Sequence, residues 1–148
     1  MRAKRGEHGQ SLAMVAAFML FVGLPLLALV IDGTRLYRVR SLLQVATDAA
    51  CEDAAVTAPD FAYYKETGET RFGNIYEAKA NAALTFQQTL SPGGKTALDV
   101  ESLSLLVIPD YSTNRMNCTS SVDVPLIMVP QIITVSATST STIRFSSN

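Results

Sequence analysis

The side chains able to do chemistry in this 148-residue sequence are few and scattered. The one histidine, His8, sits in a basic leader, MRAKRGEHG, where a solvated spacer is a simpler role than a base or a metal ligand. Glu52-Asp53 and Asp99-x-Glu101 are the closest carboxylate pairs. The first has the spacing of a helix surface and the second that of an exposed strand face, neither of which gathers ligands around an ion. Asn117-Cys118-Thr119 fits a glycosylation acceptor, but the cysteine at its centre leaves the match uninformative. There is no tryptophan and no phosphate-binding loop. No catalytic constellation can be assembled, so the expectation is a protein that is not an enzyme and takes no cofactor or metal.

The elements around these residues are more informative. Residues 12–31, LAMVAAFMLFVGLPLLALVI, contain no charge and no polar side chain. As a helix they rise about 30 Å, the thickness of a bilayer's hydrocarbon core. A cleaved secretory signal would share the basic start Arg2, Lys4 and Arg5 but would have a shorter apolar region and a small-x-small exit. Here the run leaves through Val30, Ile31 and Asp32. Pro25 within it predicts a kink that a membrane helix can absorb. Residues 1–40 carry six Lys/Arg against Glu7 and Asp32, whereas residues 41–148 carry six against eleven acids. Basic residues flank both ends of the run, so charge alone barely orients it. The two cysteines, Cys51 and Cys118, both follow it. One pair in a small exported domain reads as a disulfide, with two buried thiols as the alternative. The N-terminus is therefore expected in the cytoplasm and the bulk of the chain outside. An acidic outer part also argues against nucleic acid as a partner.

Beyond Asp32 the helix continues. Leu36, Val39, Leu43, Ala46, Ala50 and Ala54 recur at spacings of three and four, with Arg38, Arg40, Gln44, Thr47 and Asp48 placed off that stripe. Tyr37 and the arginines beside it suit a headgroup zone. Residues 60–73 read as a loop. Residues 74–90 form a second helix capped by Asn74, with Ile75, Ala82, Ala83, Phe86 and Leu90 on its apolar side, and SPGG stops it. Three strand candidates follow. Leu98 and Val100 give way to the opposite phase at Leu103, Leu105 and Val107; Ser120, Val122 and Val124 alternate with polar residues; Ile133, Val135, Ala137, Ile143 and Phe145 back a hydroxyl-rich face. The segment PLIMVP, 125–130, cannot lie mid-sheet because its prolines lack ladder donors. Leu126, Ile127, Met128 and Val129 are thus a candidate contact for a partner, or a cap on the core. The fold class is α+β: a long N-terminal transmembrane and amphipathic helix, then a small extracytoplasmic head with a second helix and an antiparallel sheet of three strands.

The stretch GQSLAMVAAFMLFVGLPLLALVIDGTRLYRVRSLLQVATDAA resembles the N-terminal region of the TadE/TadG-like pseudopilin family of Tad (Flp) pilus-assembly systems. The matching features are a glycine before the apolar run, Leu24-Pro25, Asp32-Gly33 with Arg35-Leu36-Tyr37, and Leu43 followed by Ala46-x-Asp48-Ala49-Ala50. A fainter likeness covers Val124-Pro125 and Ile133 to Ala137. The resemblance implies a pilin-like plan and partners among membrane lipid, other pilins and pseudopilins, and Tad inner-membrane assembly proteins. It also implies a prepilin peptidase cutting between Gly9 and Gln10, which would remove the charged leader. Met14 stands where prepilins carry a glutamate, pointing away from a major repeating subunit, and a retained leader is the alternative. The chain is short for a TadG-like member and looks more like the small TadE-type ones.

The organisation expected is a leader at 1–9, a continuous helix at 10–57 with its transmembrane part at 12–31, and a head at 58–148. Its function would be that of a minor pseudopilin or accessory component, held by a single pass in the inner membrane with its head in the periplasm or outside the cell. The rival is a bitopic periplasmic binding or sensory module on an ordinary anchor. A secretion ATPase and a prepilin peptidase encoded nearby would favour the first.

Overall fold

The computed structural model describes residues 7–91, 102–127 and 130–145. One nearly uninterrupted rod leads the chain: α1 (Glu7–Phe18), a π-helical segment (Met19–Gly23) and α2 (Leu24–Thr57). The π segment lies just before Pro25, whose ring has no N–H and crowds the carbonyl four residues back. Widening the preceding turn, with the Leu24 N–H reaching the Met19 carbonyl, lets the helix pass the proline. Gly33 does not interrupt α2, and Pro59 follows its end.

A short helix, α3 (Phe61–Thr67), replaces the loop expected at 60–73. Two caps make it. The Asp60 carboxylate accepts from the Tyr63 N–H at 3.2 Å, and Gly68, at φ 74°, closes the other end by donating to Tyr64 O at 2.8 Å. Helix α4 (Ile75–Leu90) starts at Asn74, whose side chain accepts from Glu77 N. It buries Ala78, Ala82, Phe86 and Leu90, a stripe at four-residue spacing; Ala83, expected inside, is exposed. Gly73 lies where an added Cβ would come within 3.1 Å of Asp60 Cα, which explains a residue without a side chain there.

Strands β1 (Leu103–Asp110), β2 (Arg115–Pro125) and β3 (Ile132–Thr142) form an antiparallel sheet with β2 central. Its inner face is Val107; Met116, Cys118, Ser120, Val122 and Val124; and Val135 and Ala137, with Ile143 just beyond β3; β2 and β3 pack against α2 and β1 against α4. The expected parity holds along β2 and in the middle of β1 and β3, while Leu103 and Ile133, expected on the inner face, are exposed at the strand ends. Leu98 and Val100 lie outside the described residues. The stripe on α2 is buried from Val39 to Ala58, with Leu36 half-buried. The chain is thus α+β with a long N-terminal helix.

Candidate functional site

Along the rod, residues 12–31 are left largely exposed: Leu12, Phe18 and Phe21 are 74, 63 and 82 % exposed. Among the described residues this is one helix long and apolar enough to cross a membrane. A shallow apolar groove runs beside the π segment between Met19, Gly23, Leu27 and Val30. A Cβ at Gly23 would meet Met19 Sδ at 3.3 Å, so the glycine leaves room for that side chain beside the groove.

The head begins where this surface ends. Strand β2 runs down α2, and four contacts fix the match. Cys51 and Cys118 are disulfide-bonded, their Cα atoms 5.6 Å apart. Ser120 Oγ lies 2.5 Å from Thr47 Oγ1. The Arg35 guanidinium donates to Pro125 O at 2.8 Å, and the Ile127 N–H donates to the Asp32 carboxylate at 3.0 Å. The helix from Arg35 to Cys51 rises about 24 Å and the strand from Cys118 to Pro125 runs about 23 Å. Helix and strand therefore keep step, and the β2–β3 connection comes down at Asp32. Leu126 closes onto the stem, lining an apolar groove with Pro25, Ala28 and Leu29.

Thr47, expected away from the stripe, is fully buried. Its hydroxyl donates to Leu43 O at 2.6 Å, leaving its oxygen to accept from Ser120. Both polar groups are thereby satisfied inside the core. Neither Asp32 nor Thr47 was assigned these contacts from sequence; the signal for the first was a lone acid directly after an uncharged run.

The carboxylates are spent on structure. Glu52 accepts from Ser141 Oγ at 2.7 Å and pairs with Arg144, joining α2 to the end of the sheet. Asp53 accepts from Thr85 Oγ1 at 2.8 Å, joining α2 to α4. Asp99 and Glu101 lie outside the described residues. The Asn117 amide oxygen accepts from Thr140 Oγ1 at 3.0 Å on the outer face. Three surface aspartates are held below the usual carboxylate range by donors: Asp60 by the Tyr63 N–H and Arg71, Asp123 by the Thr134 and Ser102 hydroxyls, and Asp110, down to about 2, by Ser112 and Thr113. Each stabilises a turn or a strand pair. No group of three or more His, Cys, Asp or Glu that could hold a metal is present among the described residues.

The sequence-predicted site residues thus fall at separate places. Cys51 and Cys118 meet in the core. Gly9 and Gln10 lie in the first turns of α1. Leu126 and Ile127 lie against the foot of α2, while Met128 and Val129 are outside the described residues.

Residues 9–57 match the Tad family of TadE/G-like Flp pilus-assembly proteins. The match ends with α2, so it covers the rod and none of the sheet. No curated protein and no solved structure matches the chain. The family points to a pilus-assembly component that works with other Tad pilus components, a role that is typically non-enzymatic, and the long apolar helix fits a membrane anchor.

Proposed function

We propose that this chain is a minor pseudopilin or accessory subunit of a Tad-type pilus. Residues 12–31 would hold it in the inner membrane, and the disulfide-tied head at 58–148 would stand outside the cytoplasm. The observation that carries this reading is the match of residues 9–57 to a pilus-assembly family, over a rod whose apolar part the head leaves uncovered. Such a surface serves twice: lipid covers it before assembly, and neighbouring pilin helices can replace lipid with little change in the apolar surroundings. The groove at Gly23 offers a place for a bulky side chain of such a neighbour.

A prepilin peptidase would cut after Gly9. This removes Arg2, Lys4, Arg5 and Glu7, whose charges would be costly inside a helical bundle. Met14 in place of the prepilin glutamate suits a subunit present in few copies.

Deleting the gene should abolish or shorten surface pili, and the full-length gene should restore them whereas a version lacking residues 12–31 should not. Normal piliation in the deletion strain would refute the assignment. N-terminal sequencing of membrane-extracted protein should begin at Gln10; a chain beginning at Met1 would make it a permanent anchor instead.

A further inference from the structure

We propose that the lower end of the sheet, at Leu126, Ile127 and Ile132, rests in the boundary layer of the same bilayer that holds the stem, giving the head a second lipid contact. The inference relies on the membrane-anchor reading above. Its position comes from the matched rise of α2 and β2, which brings Ile127 to Asp32, the residue directly after the last uncharged position of the apolar run. The surface is continuous, because Leu126 lines one groove with Pro25, Ala28 and Leu29.

Composition agrees. Between Asp123 and Arg144 there is no charged residue, and Ile127, within the connection, and Ile132, directly after it, are 62 and 63 % exposed. At the far end of the same sheet, the β1–β2 turn is Tyr111-Ser112-Thr113-Asn114, with Ser112 and Thr113 bonded to Asp110. The two ends are built for different surroundings.

Backbone chemistry favours lipid. Irregular chain at membrane depth must satisfy its polar groups within the protein. Among the described residues, the Pro125 carbonyl is taken by Arg35, the Leu126 N–H by Gln131 O at 3.0 Å and the Ile127 N–H by Asp32, while Pro125 and Pro130 have no N–H to satisfy. These three groups are therefore not available to a partner's backbone. Tyr37, 78 % exposed, and Arg38 and Arg40 follow one to two turns along α2, the level of the phosphates.

The test uses the full chain in phosphatidylcholine/phosphatidylglycerol vesicles, with an environment-sensitive fluorophore on one added cysteine: I127C, with F21C and T138C as references. The bonded native pair does not react. F21C should be quenched by bromine-labelled acyl chains and T138C by aqueous iodide. I127C should follow the lipid quencher, by roughly three-fold or more over T138C, at a shallower depth than F21C. I132C provides the same readout should I127C fail to fold. If both follow T138C while F21C stays lipid-quenched, this end of the sheet stands in water, available to a protein partner, and the proposal fails on its own. If F21C also loses lipid quenching, the anchor reading falls with it.

Discussion

Asp32 and Ile127, 95 residues apart, are joined by a 3.0 Å hydrogen bond from the Ile127 N–H to the Asp32 carboxylate. It pins the lower end of the sheet to the point where the apolar stem stops. Asp32→Asn keeps an acceptor oxygen there, and Asp32→Ala removes it. In hydrogen exchange, the Ile127 amide should keep its protection in the first variant and lose it in the second, a difference of about 1–3 kcal/mol in local opening. Equal protection in both would show that the bond does not hold the connection.

Thr47 and Ser120 differ in what each loses. Thr47→Val strands the Ser120 hydroxyl, a buried donor with its acceptor gone, and should cost about 1–3 kcal/mol. Ser120→Ala should cost less, because Thr47 still donates to Leu43 O. The double variant should cost less than the two singles added together. Chemical unfolding of the detergent-solubilised chain measures all three; strict additivity would contradict the Thr47–Ser120 bond, and a Ser120→Ala cost above that of Thr47→Val would contradict the assigned donor direction.

Replacing Cys51 and Cys118 by serine opens a loop of 67 residues. Loop-closure entropy sets the loss at about 4 kcal/mol, enough to unfold much of a small head at growth temperature. The unfolding midpoint should drop sharply in C51S/C118S, and reductant should lower the native midpoint to match. A native midpoint indifferent to reductant would count against the disulfide.

Asp110 supplies a pH dependence. Its carboxyl is depressed to about 2, mainly by the Ser112 and Thr113 hydroxyls. The stabilisation it brings is complete above the ordinary value of 3.8 and is lost as pH falls from there through about 2. Asp60 and Asp123, also depressed, add to the same acid-side loss. Asp110→Asn should flatten the fall in unfolding midpoint across that window and change its slope little above pH 5. An unchanged acid slope would remove Asp110 from the explanation.

Much of this fold is legible in local pattern. The three-and-four spacing from Leu36 to Ala54 marks the helix face, and alternation along Ser120–Val124 and Ile133–Ala137 marks the sheet face, because burial acts on each element with its own period. Three features are not. Helix α3 is set by Asp60 and Gly68 at its ends rather than by a periodic stripe, and its aromatic residues resemble those of a loop. Thr47 is placed outside by its hydroxyl and inside by a partner 73 residues away. The level of Pro125 and Ile127 beside the stem depends on the matched rise of α2 and β2, a long-range relation that no window of sequence contains.

The identity of what surrounds the stem decides between a pilus subunit and an ordinary anchor. A photo-crosslinking amino acid at Phe21, in cells carrying the complete pilus system, reports it directly. Adducts with Tad pilins or inner-membrane assembly proteins, recovered from the membrane fraction and lost when those proteins are deleted, are the expected result. Adducts with lipid alone under piliating conditions, or with soluble proteins from outside the membrane, would contradict a role in pilus assembly.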